Sequence, residues 1–322
     1  MGIECQTRKR DWGIDILKFF AVVFVVNSHM DVCYPGRWAM LATGGAIGDA
    51  LFFFCSGYTL FLGRSNGFVS WYKRRLWRIL PALLLCFVMA FLYYGADFWE
   101  RTGDGFWFVR LILVYYVLLY GLRKFFLNRL WIPCVGVGLL IVGWFLFFYD
   151  WHQSVLRYSY FMRAQYFVPM LMGAVIGYNH QHVKSASVLD VCFLLLSFVG
   201  FCGLQMIVRK YAALSGLQLL LIVGLNLSVY YLWKVAEAPI VSRIMATSVG
   251  SVMLAVGGLC LEVYLSHRPF LTDALNGLFP LNVPLLFAAM LLLAYVVRCV
   301  TRFIVQSLQW QGRYDWRAIV KV

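Results

Sequence analysis

The chain has 322 residues, of which 62% are hydrophobic and only 13% charged, with a mean hydropathy of +0.77. That balance excludes an ordinary soluble fold and reads as an integral membrane protein. The formal charge of +14 would suit a nucleic-acid binder, but the basic residues are spread over alternate loops in the way membrane topology requires, so no nucleic acid is expected.

A helix crossing the hydrocarbon needs ~20 apolar residues, and ten such segments are predicted, centred near Val22, Phe53, Leu84, Val114, Leu140, Met170, Ser197, Val223, Val256 and Leu291. They fill the chain and leave only short loops. The expected architecture is therefore all-α, a polytopic transmembrane helix bundle forming one integral-membrane domain over residues 1–322. With the N-terminus inside, 18 Lys and Arg fall on the cytoplasmic side and seven on the outer side, in accord with the positive-inside rule. Ten spans place Thr7 and Gly312 both in the cytoplasm and the acidic loop with Asp97, Glu100 and Asp104 outside. The apolar run behind the basic N-terminal flank is long and lacks a small-residue cleavage site, so it is expected to stay as the first helix. Nine cysteines lie singly, with no C-x-x-C pair and no histidine at ligand spacing. They read as packing residues, with no metal site and no bound cofactor.

The first segment, KFFAVVFVVNSHM, carries Lys18 at one end and His29 at the other. Eleven residues turn an α-helix by about 1100°, close to three full turns, and advance it by about 16 Å. Both side chains therefore share one face, and Asp15, three residues before Lys18, can pair with it. Singly, Lys18 reads as a snorkelling lysine and His29 as an interfacial histidine. Together on one stripe they point to a polar path along the helix, because ionisable groups in a span usually face the protein interior. A neutral imidazole there is a general base or a nucleophile.

The second segment, GGAIGDALFFFCSGYTLFL, is followed by the densest charge in the chain, WYKRRLWRILP, with Lys73, Arg74, Arg75 and Arg78 before Pro81. Positive-inside residues with interfacial tryptophans would look alike. The functional alternative is a cytoplasmic phosphate site, for which arginine forks are suited. Trp99, Trp107 and Trp151 in the outer loops are placed either as interfacial anchors or to stack on sugar rings. Near the end, LCLEVYLSHRPF sets Tyr264 and His267 on one face of the ninth helix and Glu262 and Ser266 on another, with Pro269 limiting its continuation. A carboxylate inside a span needs a counter-ion, and Arg110 or Arg298 can supply it.

In this order the motifs resemble the membrane-bound acyltransferase 3 family. The strings that carry the resemblance are GIDILKFFAVVFVVNSH, with ten residues between the basic residue and the histidine, GDALFFFCSGY, RRLWRILP, FWFVRLILVYY, YFVPMLMGAVIGY and LEVYLSH. The family usually has Arg where this chain has Lys18. The resemblance implies an acyl-CoA donor on the cytoplasmic side and His29 as the essential histidine.

On these grounds the chain is expected to move an acyl group, acetyl above all, from acyl-CoA to a hydroxyl of a sugar, polysaccharide or lipid-linked glycan, in the plasma membrane and among its lipids. Arg74, Arg75 and Arg78 would hold the donor phosphates and Lys18 would line the passage to His29. Ser56, Tyr58, Glu262, Tyr264 and His267 would orient the histidine or polarise the thioester. The rival reading is a transporter with a Lys18, His29 and Glu262 relay. Against it stands the lack of matched Gly/Pro-broken segments in the two halves.

Overall fold

The computed structural model describes residues 11–62, 67–98, 106–156, 159–179, 186–309 and 313–322, and all regular elements among them are helical. The basic residues Arg8, Lys9, Arg10, Arg64, Arg101, Arg157 and Lys184, together with Thr7, Trp99, Glu100, Asp104 and Gly312, lie outside the described residues. The first half of the chain forms α1 (Trp12–His29), α2 (Gly45–Leu62), α3 (Phe68–Tyr94), α4 (Trp107–Phe126) and α5 (Trp131–Phe148). There follow the short α6 (Tyr160–Gln165), α7 (Phe167–Asn179), α8 (Val188–Lys210) and α9 (Gln218–Ala236). The last group is α10 (Pro239–Met245), α11 (Ser248–Gly258), α12 (Cys260–Ser266), α13 (Asn282–Leu308) and α14 (Trp316–Val320).

Among the described residues, eight helices are long and apolar enough to cross a membrane, and nine if the bent α10–α11 pair counts as one span. Ten were expected, and the difference lies at Met170 and Val256. The helix around Met170 is α7, with 13 residues, about 20 Å long against a hydrocarbon core of about 30 Å. Its apolar sequence serves protein contact, since Met170, Leu171, Gly173, Ala174 and Gly177 are buried. The ninth segment is broken: α10 and α11 meet at 87°. The bend brings Gly250 so close to the Met245 carbonyl that a Cβ has no room.

Burial sorts the helices into layers. The spans built on α1 and α2 are each 44% buried, whereas that of α8 is 6% and that of α5 is 11%. The sequence explains this difference: α5, WIPCVGVGLLIVGWFLFF, is apolar all round and suits lipid on most of its circumference. At the centre, α2 and α7 lie almost backbone to backbone, because Gly57 faces the Met170 carbonyl and Gly173 the Phe54 carbonyl. Small residues allow such an approach between membrane helices. Gly173→Val is therefore expected to lower the thermal unfolding midpoint in detergent strongly, while Gly200→Val, with nothing within 4 Å of the added Cβ, is expected to leave it unchanged.

The same device sets α11 on α1. A Cβ on Gly257 would come within 2.9 Å of the Asp15 carbonyl and 3.3 Å of the Lys18 Cβ. Its neighbour Gly258 lies beside Val322, 3.4 Å from that side chain by the same measure. The two ends of the described chain therefore meet at one end of the bundle. Asp11 caps α1, its Oδ1 accepting from Ile14 N at 3.2 Å, and its Oδ2 accepts from the Tyr58 hydroxyl. At the opposite end Asn27 holds the following loop, donating to the Leu41 and Thr43 carbonyls at 2.7 and 3.0 Å while accepting from the Tyr34 hydroxyl at 2.7 Å.

Candidate active site

At the end of the bundle where α1 begins, α1, α2, α3, α4 and α12 enclose a cavity of about 370 Å³. Its cations are Lys18, Arg74, Arg75 and Arg78, and among the described residues lining it there is no carboxylate. Arg74, Arg75 and Arg78 come together because residue 78 lies about one turn beyond 74 and 75, so that the three fall within an arc of about 100° on α3. Lys73, on another face, is exposed and does not line the cavity. The Arg75 guanidinium lies over the Trp71 ring at 4.5 Å and donates to the Trp71 carbonyl at 3.3 Å, a cation–π contact that holds its fork in place. Lys18 donates to Asp15 Oδ1 at 3.3 Å, the pair anticipated from their spacing. Ser56 and Thr59 of α2 and Tyr116 of α4 add hydroxyls to an otherwise apolar wall that includes Phe52, Ile79 and Phe108.

At the other end of α1 stands His29, exposed at the last residue of the helix. Its ring lies 5.1 Å from that of His267, centroid to centroid, with 31° between the planes. His267 is 3% exposed. Its Nδ1 is 3.1 Å from the Val263 carbonyl and 3.0 Å from the Tyr264 carbonyl. Carbonyl oxygens only accept, so Nδ1 carries the proton and Nε2 presents a lone pair. That Nε2 is buried with no hydrogen-bond partner among the described residues. The pair thus joins one accessible imidazole to one whose tautomer the backbone fixes. Lys18 and His29 both face the α11–α12 segment, as the shared-stripe reading required: Lys18 packs at Gly257 and lines the cavity with Cys260, and His29 meets His267.

Tyr264 connects the two ends. It lines the cationic cavity, packs on Phe108 at 5.1 Å, and lies 6.4 Å from the His267 ring. Glu262 is placed differently. Arg298 grips it with a fork, Nε to Oε1 at 3.1 Å and a terminal nitrogen to Oε2 at 3.0 Å, and also donates to the Gly258 carbonyl. Of the two counter-ions open to it, the partner is Arg298, while Arg110 lies exposed on α4. Glu262 and Tyr58 do not line the cationic cavity. Glu262 fastens α12 to α13, and Tyr58, fully buried, ties α2 to the start of α1. Ser56, expected to orient the histidine or polarise the thioester, lies at the cationic cavity, at the opposite end of α1 from His29. Pro269 follows the end of α12 in a 3-10 turn.

The sequence had not singled out Tyr116, Thr59 or Phe108 as cavity residues. Phe108 and Tyr116 do lie within the string FWFVRLILVYY, but an aromatic on an apolar helix carries no mark of which neighbour it meets. Of the tryptophans expected in outer loops, Trp107 stacks on Tyr166 and Trp151 on Phe145. Trp151 is further fixed by donating to the Phe145 carbonyl at 2.9 Å.

No curated protein and no solved structure matches the chain. A family model described as an acyltransferase domain, acyltransferase 3, matches residues 11–301, a stretch that runs from the cap of α1 into α13 and includes each of the site residues above. The match covers most of the chain, and with the apolar helices it makes this a membrane acyltransferase: the chain belongs to the acyltransferase 3 family.

Proposed function

We propose that the protein transfers an acyl group, acetyl in the first instance, from a cytoplasmic acyl-CoA to a hydroxyl of a carbohydrate acceptor presented on the other side of the plasma membrane. The observation that carries this reading is the cationic cavity at the start of α1, with Lys18, Arg74, Arg75 and Arg78 around apolar walls. Phosphate groups of a nucleotide suit the arginine forks, and a thin apolar arm suits the walls. The 16 Å or so between Lys18 and His29, about three turns of α1, is the span a pantetheine arm has to cover.

The reaction then needs little else. The acceptor oxygen attacks the thioester carbonyl carbon, the new C–O bond forms, and the C–S bond breaks. His29, as general base, takes the hydroxyl proton and returns it to the departing thiolate, so that ester and free CoA are the products. His267, its Nδ1 proton held by two carbonyls, keeps a lone pair beside His29 throughout. Lys18 lines the donor's route as a cation, and Glu262 acts through Arg298 by holding α12, with Tyr264 and His267, in place.

Replacing two of Arg74, Arg75 and Arg78 by glutamine is expected to weaken acetyl-CoA binding by at least tenfold in a titration on purified protein. Added salt is expected to weaken wild-type binding as well, because Arg74 and Arg78 are exposed. A titration that neither change moves would return the cluster to a purely topological role and remove the donor site. Lys18 gives a finer test. Lys18→Met keeps length but loses charge, and should raise the KM for acetyl-CoA more than that for the acceptor. Lys18→Arg should keep or improve activity, since it preserves the cation and adds a fork.

A further inference from the structure

A second cavity, of about 440 Å³, lies at the histidine end between the C-terminal half of α3, the end of α12 and α13. We infer that it binds the hydrocarbon chain of a lipid-anchored acceptor, an anionic lipid whose headgroup carries the hydroxyl to be acylated. The inference rests on the proposed acyl transfer and names the class of acceptor.

Three observations carry it. The cavity opens sideways: Leu92 and Tyr93 line it and are 76% and 65% exposed on the flank of an apolar helix. In a bilayer that flank meets lipid chains, so a chain can enter without passing through water. Its walls, among them Ala90 and Leu293, are mostly apolar, and its volume is within the ~300–1,000 Å³ usual for ligand sites. A sugar alone gains nothing from such walls, whereas each methylene buried is worth about 0.8 kcal/mol.

Position is the second observation. Tyr264 lines both this cavity and the cationic one, so a single side chain stands between the two compartments. The residues flanking His267 in the chain, Ser266 and Arg268, also line the second cavity. Neither histidine lines the cavity itself, but a headgroup at Arg268 is one residue along the chain from His267, at the end of the bundle where the attacking oxygen has to be.

Charge is the third. The cationic cavity holds four basic residues, but among the described residues lining the second cavity Arg268 is the one cation. A nucleotide with several phosphates matches the first. One phosphate at the head of a lipid matches the second.

The test uses the whole protein in lipid nanodiscs and hexadecyl phosphate carrying a photoreactive diazirine at the chain end. Labelling is expected to concentrate on residues 86–94 and around Leu293, to be displaced by unmodified hexadecyl phosphate, and to fall at least tenfold in Ala90→Trp, which fills the cavity. Acetyl-CoA affinity in Ala90→Trp should stay within twofold of wild type. Leu293→Phe, on the opposite wall, serves if Ala90→Trp does not fold. Label spread evenly over the lipid faces of α5 and α8 and indifferent to both variants would overturn the site, leaving bulk lipid only. Label displaced by palmitoyl-CoA but not by hexadecyl phosphate would overturn it too, making the cavity a tail pocket for the donor. Should acetyl-CoA fail to bind while the probe still labels the cavity, the acyl-transfer reading falls and the lipid site stands.

Discussion

His29→Ala is expected to lower acyl transfer by about 10²–10⁴-fold, the usual cost of removing a positioned acid–base group, with little effect on folding. The side chain is exposed at the end of α1, so its truncation leaves no cavity in the core. It also lies about three helical turns from the cationic cavity, and acetyl-CoA affinity should therefore change by less than twofold. Measuring kcat with saturating donor, beside a donor-binding titration and a thermal unfolding curve, separates the chemical step from binding and stability. His29→Ala protein with near-normal kcat would assign the proton transfer elsewhere. An inactive variant that also lost donor binding would show that the two ends of α1 are not independent.

The second large effect is on stability. Glu262 and Arg298 are 9% and 12% exposed at the side chain and joined by two hydrogen bonds. Removing one partner of a buried pair leaves an uncompensated charge and costs about 3–5 kcal/mol. Glu262→Ala is expected to cause a loss of that order, visible as a large drop in the thermal unfolding midpoint. The double variant Glu262→Leu with Arg298→Met should recover most of it, because replacing a buried pair by apolar residues is often close to neutral. If Glu262 instead entered the chemistry directly, the double variant would be as stable as wild type but inactive to the degree of His29→Ala. A positioning role predicts a partial recovery of activity along with stability.

Much of the framework is legible in the chain because helical periodicity is a one-dimensional property. The common face of Lys18 and His29, the Asp15–Lys18 pair and the grouping of Arg74, Arg75 and Arg78 all follow from 3.6 residues per turn, and the structure keeps them. Hydropathy alone predicts ten spans, whereas eight of the described helices, or nine with the bent pair, are long and apolar enough to cross a membrane. It cannot distinguish apolar residues that face lipid from those of α7, which face α2, or detect the bend between α10 and α11.

The contacts between distant segments were less accessible. Sequence spacing left Glu262 with two counter-ions, and only the packing of α12 on α13 selects Arg298. His267 was among the residues expected to orient His29 or polarise the thioester, but spacing alone could not select it from them as the ring beside His29. Their meeting depends on α11 and α12 lying along α1, which Gly257 permits by having no side chain. Tyr264 likewise shares a sequence face with His267, yet its place between two cavities is a property of the assembled bundle.

The most direct test of the central claim is to incubate purified protein in proteoliposomes, without any ion gradient, with acetyl-CoA radiolabelled in the acetyl group and candidate hydroxyl acceptors. The account predicts release of free CoA coupled to acetyl ester formation, with His29→Ala inactive in both and the double glutamine variants of Arg74, Arg75 and Arg78 requiring more donor. Acetyl-CoA that is neither bound nor consumed by the wild-type protein, or ester formation undiminished in His29→Ala, would contradict it.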